Sequence, residues 1–220
     1  MTDSILQAKN LTKIYKTVTD SVLVFENLNI NVHSGEAVAI VGQSGRGKTT
    51  LLNLLSGLDR PTSGEVFFNK ERIDNLDEER LSEFRNRNVG FIFQHHYLLE
   101  DFTALDNVLI PVRIKGEAIG EEVRKKAIDM LDWVGLGKRL YHYPDQLSGG
   151  ERQRVAIIRA LIHDPLVIFA DEPTGSLDKV NAMNVENILW EMKKKLKKTF
   201  VIATHNLEIA KKCDKIIELG

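Results

Sequence analysis

The sequence predicts an α/β fold built on a parallel sheet, with a small antiparallel sheet beside it. Short apolar runs that are typical of buried strands recur along the chain, and several are followed by loops or helix-like segments. These runs are Ala37 to Val41, Phe91 to Phe93, Leu166 to Ala170, Phe200 to Ala203 and Ile216 to Leu219. Near the N-terminus, three further segments look like strands joined by turns, which predicts the antiparallel sheet: Ile5 to Leu11, Leu23 to Val32 and Glu65 to Phe68.

A mainly helical insertion is expected in the middle of the chain, because strand signals thin out between Gln94 and Gly149. Apolar residues recur there at helical spacing, at Val123, Ala127, Met130, Leu131 and Val134. We therefore predict a single domain over 1–220, with a core at about 1–94 and 155–220 and a helical insertion at about 95–154. A second helical pattern begins at Val180 and ends in lysines, which suit a helix C-terminus.

Composition excludes several classes of protein. The 220 residues include 30 Lys and Arg against 31 Asp and Glu, so the net charge of -1 gives no global attraction for nucleic acid or anionic membrane. Cys213 is the only cysteine, which excludes an internal disulfide and suits a reducing compartment. The apolar runs are far shorter than the roughly 20 residues of a spanning helix, and Met1 to Gln7 does not resemble a secretion signal. We expect a cytoplasmic protein that needs a partner for any role at a membrane.

A phosphate-binding loop is predicted directly after the apolar strand Ala37 to Val41. Its residues are Gly42, Gln43, Ser44, Gly45, Arg46, Gly47, Lys48 and Thr49, which match G-x-x-x-x-G-K-[ST] before a helix-like segment from Thr50. Glycines let backbone N–H groups surround phosphates, and the helix N-terminus adds a positive dipole end. Lys48 would contact the β- and γ-phosphates and the Thr49 hydroxyl would hold Mg²⁺. The expected ligand is a nucleoside triphosphate.

Two carboxylates end the apolar run that begins at Leu166. On a strand, consecutive side chains point to opposite sides, so Asp171 and Glu172 can serve different purposes. Asp171 is placed to hold Mg²⁺, and Glu172 to polarise an attacking water as general base. The alternative is a solvated acidic turn after a core strand.

A second anion site is predicted at the start of another helix. Ser148 and Glu151 form an S-x-x-E capping box, and Gly149 and Gly150 between them would let a phosphate approach the helix N-terminus closely. The alternative interpretation is simply a well-capped helix. The presence of a phosphate loop in the same chain favours the anion site.

Taken together and in this order, these motifs resemble the ATP-binding cassette ATPases over nearly the whole chain. The resemblance implies a P-loop NTPase (RecA-like) core and an ATP hydrolase that uses ATP and Mg²⁺. Leu147 to Gln153 resemble the signature motif and Ser176 to Asp178 the D-loop. By resemblance, Tyr15 stacks on adenine, Gln94 contacts Mg²⁺ or water, and His205 contacts the γ-phosphate. Nucleotide contacts are also implied for Thr50, Ser148, Gly149, Gly150, Gln153 and Asp178.

The same resemblance implies a head-to-tail homodimer in which ATP on one subunit's phosphate loop is capped by the other's signature. Within the family, Phe93 to Leu99 and Asp101 to Val108 are most similar to the lipoprotein-releasing (LolD-like) branch, with macrolide-exporter (MacB-like) and cell-division (FtsE-like) ATPases as close relatives. Integral membrane subunits are expected to dock near Gln94 to Val108, which places the chain on the cytoplasmic side of the inner membrane. No nucleic-acid partner is expected.

Two other functions are alternatives to a transporter motor. One is a soluble ATPase that acts on chromosomes or ribosomes, but the long coiled coils or second cassette of such proteins are missing. The other is a regulatory module that binds nucleotide without hydrolysis, which the intact Asp171, Glu172 and His205 disfavour. The sequence departs from the usual loop pattern at Arg46, which replaces a commonly small residue, and at Thr49, which keeps the hydroxyl of the commoner serine.

Overall fold

The structure is a computed structural model that describes residues 4–17 and 19–220. Met1 to Asp3 and Val18 lie outside the described residues. In chain order the elements are β1 (Ser4–Lys16), β2 (Ser21–His33), β3 (Ala37–Val41), α1 (Lys48–Leu55), β4 (Ser63–Phe68), β5 (Glu71–Arg72), α2 (Glu78–Asn88), β6 (Val89–Ile92), α3 (Ala104–Ile114), α4 (Glu121–Trp133), a 3₁₀ turn (Pro144–Gln146), α5 (Gly149–Leu161), β7 (Val167–Asp171), α6 (Lys179–Leu196), β8 (Thr199–Ala203), α7 (Leu207–Lys211) and β9 (Lys215–Glu218).

The described residues form two compact units. Unit 1 comprises the chain up to Arg85 together with Thr199–Gly220, and unit 2 comprises Asn86–Lys198. The predicted helical insertion at about 95–154 lies within unit 2. No helix in residues 4–17 and 19–220 is long and apolar enough to cross a membrane.

Unit 1 contains the predicted antiparallel sheet, with strand order β2-β1-β4-β5. Leu6 pairs with Phe68 and Ala8 with Val66, and all four side chains are buried. Apolar residues at every second position of β1 therefore bury one face of the sheet.

Unit 1 also contains three parallel strands, in which β3 lies between β8 and β9. Every residue of β3 and β8 is buried, which explains why these strands are continuous apolar runs instead of alternating ones. Ile40 pairs with Ala203 and Val41 with Glu218. The loops that follow β3 and β8 consequently leave the sheet at the same edge.

Unit 2 pairs β6 with β7 in parallel and contains α3 to α6. Ile92 pairs with Ala170, so these two strands also end at the same edge. The buried side of α5 is apolar, with Val155, Ala156, Ile157 and Ile158 at 0–1% exposure, and this helix packs against α3, α4 and α6. The predicted fold class, an α/β core with an antiparallel sheet and a helical region, is confirmed.

Candidate functional site

The predicted phosphate loop joins β3 to α1 in unit 1. Gly45 and Gly47 take left-handed backbone conformations, with φ of 81° and 87°, which residues with a side chain rarely adopt. Gly47 is also the N-cap of α1 and has no side chain that could bond the first helical amides. The N-terminus of α1 therefore presents N–H groups and a positive dipole end, as an anion site requires.

Two glycines of this loop are required by close packing. A β-carbon at Gly42 would lie 2.7 Å from the backbone oxygen of Leu219, a residue whose amide donates to the Val41 carbonyl at 2.8 Å. A β-carbon at Gly47 would collide with Val24. At Gly45, by contrast, no atom lies within 4 Å of the β-carbon position, so the loop is open there. This open cradle fits the triphosphate that the motif predicts.

Lys48 directs its ammonium group at the loop itself. The side chain is 9% exposed, and Nζ donates hydrogen bonds to the carbonyl oxygens of Gly42 at 2.9 Å and Gln43 at 3.2 Å. A cation is thus held beside the same turn that exposes the amides. Gln43, Ser44, Arg46 and Thr49 are exposed and Thr50 is half-buried, so the predicted contact residues are accessible or nearly so.

Tyr15 on β1 lies beside the first turn of α1. Its hydroxyl donates to Asp59 at 2.8 Å, and burial together with this bond raises the pKa of Tyr15, while a hydrogen bond with Thr50 lowers it. Lys13 Nζ lies 4.5 Å from the ring centroid and also pairs with Asp59 at 2.8 Å. Burial raises the pKa of Asp59, but the bonds from Lys13 and Tyr15 leave it lowered. Tyr15 stays 42% exposed, enough to offer ring surface to an aromatic ligand.

His205 follows β8 at the edge where the phosphate loop follows β3. The amide of Thr204 donates to the Ile40 carbonyl at 3.0 Å, which continues the ladder almost to His205. The His205 side chain is exposed. Unit 1 therefore gathers the loop, Tyr15 and His205, all of which the sequence assigned to nucleotide.

Unit 2 gathers a second set of predicted residues at the ends of β6 and β7. Asp171 is the last residue of β7, and Gln94 lies two residues past β6. The β-carbon position of Gly175 is 3.3 Å from Gln94 Nε2 and 3.3 Å from Glu172 Cβ. Ser176 Oγ also donates to the Gln94 carbonyl at 3.0 Å. Gln94 and Glu172 thus both lie beside Gly175, in the loop that follows β7.

Glu172 departs from the expectation that it alternates with Asp171 along a strand. β7 ends at Asp171, and Glu172 takes a left-handed conformation with φ of 43°. Its carbonyl accepts the amide of Gly175 at 2.9 Å, which closes a turn. The backbone conformation of Glu172 is therefore set by this turn and not by continuation of the strand. A left-handed non-glycine residue is mildly strained, and such residues concentrate at functional sites.

The capping box at Ser148 is confirmed. The Glu151 amide donates to Ser148 Oγ at 3.3 Å, and the Ser148 amide donates to Glu151 Oε2 at 2.8 Å. The hydrogen bond from the Ser148 amide lowers the pKa of Glu151, and Arg139 at 3.1 Å adds to the effect. These bonds fix where α5 begins. The amides of Gly149 and Gly150, between the two capping residues, are the ones that an anion could bind.

Packing explains Gly150, and capping explains the position of Asp178. A β-carbon at Gly150 would collide with the Asn181 side chain. Asn181 is held in turn by Asp178, the N-cap of α6, which accepts the amides of Val180 and Asn181 at 3.0 Å each. The hydrogen bond from the Asn181 amide lowers the pKa of Asp178. The D-loop carboxylate is exposed and its first structural role is to start α6.

Gln153 was predicted to contact nucleotide, and its geometry argues against this. The side chain is 0% exposed. Its Nε2 donates to the carbonyls of Pro173 at 2.8 Å and Phe93 at 3.3 Å, and its Oε1 lies 2.6 Å from His96 Nδ1. With the amide fully engaged by protein groups, Gln153 supports the loops around Gln94 and Glu172 instead of reaching a ligand.

Sequence reasoning missed three residues that shape unit 2. His96 is half-buried, and burial lowers its pKa. Asn107, at 0% exposure, exchanges hydrogen bonds with Leu99 and also donates to Phe102 and Thr103. Arg159 donates to the carbonyls of His96 and Tyr97 at 2.7 and 2.6 Å. For Asn107, the available signal was a polar residue among the apolar residues of α3.

The residues predicted to hold Mg²⁺ offer single oxygen ligands. Among the described residues, no group of three or more His, Cys, Asp or Glu side chains could hold a metal ion. Mg²⁺ is commonly bound by one or two protein oxygens plus substrate phosphates. The oxygens of Thr49, Gln94 and Asp171 are of the type that Mg²⁺ prefers.

Comparisons with known proteins agree with these motifs. The model of the ABC transporter family matches residues 25–175. The chain is 44% identical over 214 residues to the lipoprotein-releasing system ATP-binding protein LolD of Treponema denticola, covering 97% of this chain and 94% of that protein. It is 45% identical over 219 residues to the LolD of Legionella pneumophila, covering 100% and 96%. A dimeric ATP-binding cassette, MJ0796 bound to ADP and Pi, superimposes with a TM-score of 0.89 at 40% identity, covering 97% and 94%.

Proposed function

The chain belongs to the ABC transporter family and is an ATPase of the ABC type; from this premise we propose that it drives a membrane complex that releases lipoproteins. The observation that supports lipoprotein release is the near full-length similarity to lipoprotein-releasing ATP-binding proteins at 43–46% identity. In the proposed arrangement the chain is the cytoplasmic ATPase subunit, attached to the inner membrane through its partner.

Nucleotide binding is assigned to unit 1. The amides of the Gly42 to Thr49 loop and the Lys48 ammonium bind the phosphates, and Tyr15 stacks on adenine. His205 contacts the γ-phosphate. These roles are supported by the open loop at Gly45, the buried Lys48 cation and the exposed Tyr15 ring.

Hydrolysis is assigned to unit 2, with Glu172 as general base that takes a proton from the attacking water. Gln94 orients that water, which the proximity of its amide to Glu172 supports. Asp171 and Gln94 in unit 2 and Thr49 in unit 1 each offer an oxygen atom suited to Mg²⁺, and the bound ion would neutralise charge on the phosphates. Protein groups otherwise only position the reactants, as phosphoryl transfer requires.

A head-to-tail homodimer completes the proposed engine. Ser148, Gly149 and Gly150 cap the nucleotide bound by the second copy, using the free amides at the start of α5, and Asp178 lies at the seam. The capping box supports this because it holds the helix start open to an anion. ATP then favours the closed dimer because it binds that state better, and hydrolysis removes this preference.

The membrane partner is proposed to dock on the segment Gln94 to Val108. Tyr97 and Leu99 expose 64% and 48% of their surface there, which suits a helix of the partner laid into an apolar groove. Asn107 holds the backbone of this loop from below through Leu99, Phe102 and Thr103. The backbone that carries this exposed apolar surface is thus held by hydrogen bonds from a buried side chain.

Glu172→Gln is the test of the catalytic assignment. We expect steady-state phosphate release to fall by about 10²–10³-fold, with ATP still bound, because the amide keeps the shape of the carboxylate but cannot accept the proton. Glu122→Gln, on the exposed face of α4, is the matched control and should leave turnover unchanged. A Glu172→Gln variant that hydrolyses ATP at the wild-type rate would contradict the role of Glu172.

The assignment to lipoprotein release is tested by purifying the tagged chain from native membranes with its partners attached. We expect integral membrane subunits that stimulate ATP hydrolysis and, in proteoliposomes, release of a lipoprotein to an acceptor that depends on ATP. Stimulation by a drug instead would identify a macrolide-type exporter, and recovery of division proteins a cell-division ATPase. Either result would overturn the lipoprotein assignment while leaving the ATPase assignment intact.

A further inference from the structure

The Gln153 amide connects two loops at the carboxyl edge of β6 and β7. Phe93, whose carbonyl it bonds at 3.3 Å, directly precedes Gln94. Pro173, whose carbonyl it bonds at 2.8 Å, directly follows Glu172. One buried side chain of α5 therefore ties together the backbone beside the two residues to which water orientation and proton removal are assigned.

The orientation of this amide is fixed by its partners. Both carbonyls are acceptors, so they require the two N–H groups of Gln153 Nε2, and Oε1 must then face His96 Nδ1 at 2.6 Å. Since Oε1 can only accept, His96 has to donate from Nδ1. In the neutral ring this requires the tautomer that carries its proton on Nδ1. If the amide were rotated by half a turn, Oε1 would face two carbonyl oxygens.

His96 is itself held in place from α5. Arg159 donates to the backbone carbonyls of His96 and Tyr97 at 2.7 and 2.6 Å, and the Tyr97 ring meets Phe93 edge-on at 5.2 Å between centroids. The imidazole is half-buried in this setting. Its donor is therefore aimed at Gln153 by a fixed backbone.

We propose that His96 is a positioning residue for ATP hydrolysis: its Nδ1–H holds the Gln153 amide in the orientation that spaces Gln94 and Glu172 correctly. The inference rests on the proposed roles of those two residues. His96 touches neither nucleotide nor water in this scheme. It acts through Gln153 on the geometry of the water and the general base, which affects the chemical step more than nucleotide binding.

Two amide substitutions separate positioning from bulk packing. His96→Asn retains an N–H donor near the place of Nδ1, whereas His96→Gln carries the same group one methylene further out. In the isolated full chain, without membrane partner, we expect His96→Gln to lower kcat about tenfold with KM for ATP within about twofold, and His96→Asn to retain at least about half of kcat. Unchanged kcat in His96→Gln, or equal losses in the two variants, would overturn the proposal.

A double-mutant cycle tests the route through Gln153. In a Gln153→Met background, adding His96→Gln should lower kcat no further, because the acceptor is already gone. Independent, multiplicative losses would show that His96 acts by another route. Thermal melting of each variant shows whether it is folded at the assay temperature, so that a lower kcat is not caused by a smaller folded fraction.

The wild-type tautomer gives a test that needs no variant. Heteronuclear NMR of the ¹⁵N-histidine-labelled chain should show the neutral His96 ring protonated on Nδ1, and a ring protonated mainly on Nε2 would overturn the proposal. The Glu172→Gln measurement distinguishes failure of the role of His96 from failure of the role of Glu172. If that variant loses turnover while His96→Gln does not, only this inference fails; if Glu172→Gln stays fully active, the underlying assignment of the base fails.

Discussion

In unit 1 the phosphate loop takes its shape from the backbone, whereas in unit 2 the loops around Gln94 and Glu172 are held by side chains. The unit 1 loop depends on glycines: Gly45 and Gly47 are left-handed, and Gly42 and Gly47 leave no room for a β-carbon. In unit 2 the loops are held in shape by the buried Gln153 amide, and the capping box fixes the start of α5.

This difference suggests that binding and hydrolysis can be changed separately. Unit 1 carries the groups assigned to the phosphates and to adenine, so unit 1 variants should alter mainly the affinity for ATP. A side-chain network is sensitive to single hydrogen bonds, so unit 2 variants should alter mainly turnover.

Ser148→Arg is expected to lower turnover at least about 100-fold, because a long cation at the start of α5 blocks the amides assigned to the second copy's nucleotide. ATP affinity of the monomer should stay within about twofold, since the phosphate loop is untouched. Phosphate release and equilibrium binding of a fluorescent ATP analogue measure the two quantities. Ser148→Asn, which can still cap the helix, is the matched control.

Loss of ATP binding together with turnover in Ser148→Arg would break the division between the units. It would mean that the signature contributes to the first binding event. Ser148→Asn keeps the helix cap without adding a cation, so retained binding and turnover in that control would assign the losses in Ser148→Arg to the arginine side chain.

Lys48→Ala is expected to weaken ATP affinity about 100-fold, because charge-assisted hydrogen bonds to phosphate contribute roughly 1.5–3 kcal/mol each. Titration calorimetry with ATP measures the change directly. Lys9→Ala is the matched control, since Lys9 is an exposed lysine of β1 whose ammonium lies over Phe67. An unchanged ATP affinity in Lys48→Ala, with turnover lost, would move Lys48 from binding to chemistry.

Local sequence patterns predicted the parts of the molecule that local chemistry determines. The strand before Gly42, the helix after it and the capping box at Ser148 occur where they were expected. The amphipathic pattern after Val180 gives α6, and the pattern from Val123 gives α4. In each case the signal and the structure depend on residues within a few turns of each other.

Three features of the structure were not predicted from the sequence. α2 escaped notice because only Leu81 and Phe84 of its residues are buried, too few for a periodic pattern. The burial of Gln153 depends on Phe93 and Pro173, which are 60 and 20 residues away. The left-handed turn at Glu172 likewise could not be deduced from an apolar run that ends in carboxylates.

Tyr15→Ala is expected to weaken ATP affinity about tenfold, since stacking of a base on an aromatic ring contributes roughly 1–3 kcal/mol. Tyr15→Phe sharpens the test, because it keeps the ring and removes only the hydroxyl bonded to Asp59 at 2.8 Å. We expect its affinity to stay within about threefold of wild type. Competition between ATP and GTP in the fluorescence assay measures both variants. Equal losses in Ala and Phe would assign the effect to the Asp59 bond and not to stacking.

Glu151→Gln tests the capping box with the smallest expected effect, about 1 kcal/mol or less in the free energy of unfolding at neutral pH. The pKa of Glu151 is lowered from its ordinary value of 4.5 in the folded chain, so its ionised form adds stability above that pH. This contribution is lost as pH falls through the lowered pKa. The difference between wild type and variant in urea unfolding should therefore shrink on acidification from pH 6. A difference that is independent of pH would mean that the Gln side chain fails to replace the hydrogen bond for reasons of shape, and that the charge of Glu151 does not stabilise the start of α5.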